Sequence, residues 1–240
     1  MKTEFVAVIR AEGQGTRMKS ALPKVLHPVA GLPLYAHVVE AALAAGVSRA
    51  VVVVGHGREA VEADVKARFD ARVTTAVQET QLGTGDAVRS GLRALPGFEG
   101  WVLVLSGDTP LVHARLVSAL IDEANASSGH VAMLTSQVDD ATGYGRILRD
   151  AQGKAVGIRE HKDASAQERE IREVNPALYA MRAPFLHAAL GRLSTDNAQG
   201  EFYLTDVVAM AAAEGGAFIA ALPIGPMASR PVCSSTAMAD

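Results

Sequence analysis

The chain has 240 residues, 49% of them hydrophobic and 20% charged, with a formal net charge of −3 and a single cysteine. That balance gives no reason to expect a nucleic-acid or anionic-membrane partner, so any bound anion must be held by a local constellation. One cysteine excludes an intramolecular disulfide and fits a reducing compartment. No apolar run reaches the ~18 residues of a membrane-spanning helix, and acidic Glu4 with a short apolar run argues against a signal peptide, which predicts a cytoplasmic protein.

In chain order, Phe5 to Ile9 (FVAVI) and Ala50 to Gly55 (AVVVVG) are near-continuous β-branched runs, the pattern of buried parallel strands. Trp101 to Asp108 and His130 to Ser136 read the same way. Between them, helical patterns cover Pro33 to Gly46, Arg58 to Phe69, Thr84 to Leu95 and Ala114 to Ala126. In the first, Leu34, Val38, Ala41 and Ala45 form a core-facing stripe. The alternation predicts an α/β fold, a mostly parallel sheet with helices on both faces. Ligands of such sheets bind beyond the carboxyl ends of the strands, where loops 10–18 and 106–110 fall. From Asp139 the segments shorten, and Thr142 to Ala164 reads as a small β insertion of antiparallel strands turning at Gly153. Helices near Pro184–Arg192 and Tyr203–Glu214 and a strand near Phe218–Leu222 follow. Residues 224–240 read as irregular tail.

The loop after the first strand, Gly13-Gln14-Gly15-Thr16-Arg17, lacks both the third glycine of a dinucleotide fingerprint and the Gly-Lys-Ser/Thr of a Walker loop. Its glycines let backbone N–H groups face an anion, and Arg17 and Lys24 supply a bidentate fork and a movable point charge. A solvated turn with two cations is the competing reading of this loop alone. Asp108, just past a buried strand in SGDTPL, reads either as a lone carboxylate holding Mg2+ with substrate phosphates, or as a turn or capping aspartate.

GxGTRM followed by LPKVL, then QETQLGTGDAV, SGDTPL, TGYGRI, EHKDA and NAQGEFYLTD, occur in that order. Together they resemble the uridylyltransferase half of the bacterial bifunctional N-acetylglucosamine-1-phosphate uridylyltransferases, from about Phe5 to Pro223. The resemblance implies the nucleotide-diphospho-sugar transferase (Rossmann-like) fold over residues 1–223. It implies formation of UDP-N-acetylglucosamine, a peptidoglycan precursor, and pyrophosphate from UTP and N-acetylglucosamine-1-phosphate, with Mg2+ as cofactor. Position by position, Arg10, Ala11, Glu12 and Gly13 meet the nucleotide through their backbone, and Arg17 and Lys24 bind its phosphates. Gln78, Gly83 and Thr84 correspond to the uracil-reading loop. Ser106 and Gly107 line the site beside Asp108, the implied metal ligand and, with Arg17 and Lys24, the catalytic set. Gly145, Glu160 and Asn175 correspond to the sugar contacts.

Three departures stand out. The family's loop begins Leu-Ala-Ala-Gly, and here it reads Arg10-Ala11-Glu12-Gly13. Two like charges ~4 Å apart repel by about 4 kcal/mol at an effective dielectric near 20, roughly three decades of affinity, if Glu12 faces the phosphates; solvent exposure or a pair with Arg10 removes most of that. Near the C-terminus, register places Val232 and Cys233 where the family has the Asn that completes the Mg2+ site, and a thiol is a poor ligand for a hard cation. Asn175 is followed by Pro176-Ala177, where the family has a small polar residue and Gly. No hexapeptide repeat is present, so acetyl transfer is not expected, and the expected form is a monomer. Transfer to another sugar-1-phosphate, or nucleotide-sugar binding without turnover, are the competing functional readings.

Overall fold

The computed structural model describes residues 3–13, 15, 18–215 and the backbone of 217–220. The tail and Cys233 therefore lie outside the described residues, as does Arg17. In chain order the elements are β1 (Phe5–Ala11), the hairpin β2 (Pro28–Val29) and β3 (Leu32–Pro33), α1 (Leu34–Ala44), β4 (Arg49–Val54), α2 (Arg58–Arg68), β5 (Val73–Val77), α3 (Thr84–Leu92), β6 (Trp101–Ser106) and α4 (Ala114–Ala126). The second half contains β7 (Val131–Leu134), β8 (Ser136–Gln137), β9 (Gly145–Arg149), β10 (Ala155–Arg159), α5 (Ala166–Arg169), β11 (Glu173–Asn175), β12 (Tyr179–Arg182), α6 (Ala183–Gly191), α7 (Thr205–Ala213) and β13 (Ala217–Ala220).

Seven strands form the main sheet in the order β13-β7-β12-β6-β1-β4-β5. Every pairing is parallel except those of β12, which runs antiparallel to both β6 and β7. The near-continuous apolar runs follow from burial on both faces. Phe5, Ala7 and Ile9 of β1 point to one core with Ala50, Val52, Val54, Trp101, Leu103 and Leu105, covered by α1, α2 and α4. Val6 and Val8 point to the other with Val51, Val53, Val102 and Val104, covered by α3, α6 and α7. The mostly parallel sheet with helices on both faces is as expected.

The insertion is a separate four-stranded antiparallel sheet, β10-β9-β11-β8. Its turn at Gly153 has φ +77°. The expected strand His130–Ser136 is divided: β7 stays in the main sheet, and after Thr135 the chain crosses into the small sheet as β8. The expected helix Thr84–Leu95 ends as α3 at Leu92. Strands β5 and β12 carry no strong sequence signal. Only Val73 of β5 is buried, because it is the edge strand, and β12 is a four-residue segment directly preceding a helix.

Helix α3 lies so close to the sheet that a Cβ on Gly91 would stand 2.6 Å from Cγ1 of Val8 and 3.1 Å from Cγ2 of Val53. Gly91→Ala is therefore expected to lower stability by about 1–3 kcal/mol through overpacking, although alanine favours helix by about 1 kcal/mol. A fall in the urea midpoint at unchanged m-value is the expected result; a rise would mean that α3 has room to shift.

Candidate active site

The carboxyl ends of β1 and β6 meet at one edge of the sheet. The parallel register sets Arg10 opposite Ser106, and the N–H of Gly107 donates to the carbonyl of Arg10 at 2.8 Å. A side chain at Gly107 would bring a Cβ to 2.9 Å from that oxygen, so glycine is required for this approach. One residue further, the Asp108 carboxylate accepts from Ser106 Oγ at 2.7 Å and from Lys24 Nζ at 2.5 Å. Lys24 opens a single 3-10 turn, Lys24–Leu26, and its side chain is 14% exposed against 21% for Asp108. Burial works to raise the Asp108 pKa, but the Lys24 charge, hydrogen bonds from Lys24 and Ser106, and the Arg10 charge outweigh it and hold the carboxyl below its usual range.

Glu12, the first departure, does not point to open solvent. Arg10 Nε donates to Glu12 Oε1 at 3.2 Å, and the two side chains are only 18% and 12% exposed. The amide of Gln81 donates to the Glu12 carbonyl and ties the chain just past β1 to the segment after β5. A cleft of about 520 Å3 opens beside that tie, lined by Gly55, His56, Arg58, Gln78, Glu79 and Gln81 among others.

Of the residues expected to read a base, Gln78 is 2% exposed. Its amide nitrogen donates to the Gly83 carbonyl at 3.2 Å and to Asp86 at 2.9 Å, which leaves Oε1 buried without a partner. Gly83 has φ +108°, and a Cβ there would meet Glu201 and Phe202 below 3 Å. The reason is that segment 201–204 lies along this loop. The Phe202 N–H donates to the Leu82 carbonyl and the Gly85 N–H to the Phe202 carbonyl, both at 2.8 Å, while Leu204 N–H donates to Thr84 Oγ1 at 2.8 Å.

The sugar-contact candidates come from the small sheet. Gly145 pairs with Asn175 across β9 and β11. The Asn175 amide donates to Tyr179 Oη at 2.5 Å and accepts from Ala177 N–H at 2.9 Å. Glu160, just beyond β10, accepts from Thr205 Oγ1 at 3.0 Å. It does not form a surface pair with Lys162, whose ammonium donates to Gln199. Burial raises the Glu160 pKa; the Thr205 hydroxyl and Arg10 oppose this, and Asp163 and Asp206 reinforce it. The structure thus brings together Arg10, Glu12, Ser106, Gly107, Asp108 and Lys24, with the base loop joined through Gln81 and the sugar group reached by the field of Arg10. Sequence reasoning missed the partners Gln81, Thr205 and Tyr179. The first two sit inside quoted motifs, QLGTGD and YLTD.

A mostly parallel sheet with a lysine–carboxylate pair beyond the carboxyl ends of two adjacent strands places a ligand site at that edge. The chain belongs to the MobA-like NTP transferase domain family, whose pattern matches residues 7–210. It is 55% identical over 219 residues to the bifunctional protein GlmU of Sorangium cellulosum, covering 90% of this chain and 46% of that protein. It is 47% identical over 224 residues to GlmU of Anaeromyxobacter sp. strain K, covering 93% and 46%. The chain thus spans about half the length of the curated relatives it matches. A solved Bacillus anthracis protein assigned as a glucose-1-phosphate thymidylyltransferase superposes with a TM-score of 0.74 at 17% identity, covering 91% of this chain and 87% of that one, which establishes the shared fold. Among the described residues no helix is long and apolar enough to cross a membrane, and no three His, Cys, Asp or Glu cluster as metal ligands.

Because its folded-state pKa is raised, ionised Glu160 weighs against folding above that pKa, and the burden is absent below the ordinary glutamate range. Glu160→Gln keeps an acceptor for Thr205 and is expected to raise the melting temperature at pH 7. The gain should shrink as pH falls through the ordinary glutamate range and vanish near about pH 3, where the unaltered carboxyl is protonated in both states. Melting curves across that range check it; a gain independent of pH would place the effect in packing.

Proposed function

We propose that the chain transfers the uridylyl group of UTP to N-acetylglucosamine-1-phosphate, forming UDP-N-acetylglucosamine and releasing pyrophosphate. The observation that carries this reading is the Lys24–Asp108 contact at the strand edge, flanked by Ser106, Gly107 and Arg10. A sugar-phosphate oxygen is ionised at pH 7, so attack on the α-phosphorus requires no general base. What the site must supply is alignment of two anions and neutralisation of charge as pyrophosphate departs. In this reading Lys24 and Arg17 supply the cations.

Asp108 fits a Mg2+ ion of the kind held by one carboxylate with substrate phosphates and waters, which would draw the approaching phosphates together and neutralise them. Triphosphate entering the site offers Lys24 a new partner and frees the carboxylate oxygen that the ammonium now occupies. On the base side, the unpartnered Oε1 of Gln78 is an acceptor of the kind that the uracil N3–H satisfies. On the sugar side, Glu160 and Asn175 offer a carboxylate and an amide for hydroxyl and acetamido groups.

Two of the departures weigh little against turnover. Glu12 is matched by Arg10, so its charge does not stand alone before the phosphates. Ala177 holds φ +61°, a backbone conformation usual for glycine, and its N–H donates to Asn175 Oδ1, which supports a role for this turn in orienting Asn175. The working form in this reading is a cytoplasmic monomer, which sizing chromatography checks for its oligomeric part.

The test is pyrophosphate release from UTP and N-acetylglucosamine-1-phosphate with Mg2+. The unaltered chain should release it. Lys24→Ala, Asp108→Asn and Arg17→Ala should each lose about 10²–10³-fold or more in kcat/KM while melting cooperatively. No release by the folded, unaltered chain overturns the reading, and release with a different sugar-1-phosphate alone would move the substrate.

A further inference from the structure

Arg10 lies near the end of β1 and Glu12 just past it, two residues further along the chain. Such residues share a face, so a charge at one is within reach of the other. Both main chains are fixed independently. The Arg10 carbonyl is held by the Gly107 N–H, and the Glu12 carbonyl by the Gln81 amide. Gly55 lies close beside the root of the Glu12 side chain, where an added Cβ would stand 3.2 Å from Glu12 Cβ. Within these limits the guanidinium meets the carboxylate at 3.2 Å, with both side chains more than four-fifths shielded.

We propose that the Arg10 side chain is a positioning residue that acts through Glu12: it turns the carboxylate away from the phosphate-binding space, so that the two function as one neutral unit. The inference rests on the reading that the site takes UTP. Arg10 is the right group for the role because a guanidinium keeps its charge when shielded, and its planar fork fixes direction as well as distance. Burial disfavours its charge, but Glu12 and then Asp108 more than restore it. The same cation acts on Glu160. Without it, Glu12 would be left without its partner beside the phosphate-binding space.

The experiment measures UTP binding calorimetrically with Mg2+, and turnover in parallel, for the unaltered chain, Arg10→Leu, Glu12→Ala and the double variant. Arg10→Leu should weaken UTP binding by about tenfold or more, as expected for an unpaired carboxylate left near the phosphates. The double variant should return to within about threefold of the unaltered chain, because the repelling partner is gone. Glu12→Ala should bind at least as tightly as the unaltered chain, with a steeper loss of affinity as salt rises, since a cation is released toward the ligand. A double variant as weak as Arg10→Leu would overturn the proposal, as would an Arg10→Leu chain that binds normally. Should Arg10→Leu fail to fold, Glu12→Ala decides: unchanged affinity and unchanged salt dependence overturn the coupling. An unaltered chain that binds UTP without turnover removes the transferase reading and leaves the affinity pattern to judge this one. A chain that binds no UTP overturns both.

Discussion

Strand β1 is held between β4 and β6, and the register of those two parallel pairings decides where Arg10 and Asp108 stand relative to each other. Ile9 lies beside Leu105 and Val52, and Arg10 beside Ser106 and Val53. A one-residue slip would turn each apolar side chain of β1 to the opposite core and carry Arg10 away from Asp108. Register is strongly specified here because both faces are buried, each by its own set of helices. The site thus inherits its precision from hydrophobic packing several residues away, and the Gly107 N–H bond to Arg10 extends that order one step beyond the strand.

Past the strands, order is maintained by charge rather than by apolar contact. Each cation of the described site has a carboxylate partner: Lys24 with Asp108, and Arg10 with Glu12. Half-buried pairs of this kind add little net stability, since desolvation offsets much of the attraction, but an unmatched partner would be costly. Their value is therefore poise. In the proposed reaction a triphosphate would take over Lys24 without leaving Asp108 in want of a cation, provided that a metal ion arrived with it. The Arg10–Glu12 pair would have no such exchange to make, and the proposed role for it is placement.

The sequence made the parallel strands readable because β-branched residues fill them on both faces, and it made the loops readable because Gly, Asp and Lys follow those strands. Strand β5 was not readable: VTTAV is an edge strand with mixed exposure, so its pattern lacks a clear period. Strands β8 and β11 were hidden for another reason. They are two and three residues long, and their partners are distant in sequence, so pairing rather than propensity creates them. The orientation of Glu12 was legible only as a choice among the phosphates, solvent and Arg10. Its pairing with Arg10 settles on the last, while Gln81, from another loop, holds its main chain, a contact that no local pattern announces. Gln78 was legible as an amide near a base, but not as an amide already engaged by Gly83 and Asp86.

The segment between α6 and α7 gives the two halves of the site a common wall. Its Phe202 and Leu204 backbone groups bond to the base loop at Leu82, Gly85 and Thr84. A few residues away, Gln199 receives Lys162, Tyr203 Oη donates to Asp163, and Thr205 donates to Glu160. Five residues thus divide between the two loops: Phe202 and Leu204 bond to the one expected to hold the base, and Gln199, Tyr203 and Thr205 to the one expected to hold the sugar. A displacement of either loop must bend this segment or break hydrogen bonds worth about 1 kcal/mol each. The motif NAQGEFYLTD therefore belongs to neither subsite alone: its small and hydrogen-bonding residues are what a strap between them requires, with Thr205 opening α7 at the point where the chain returns to the core.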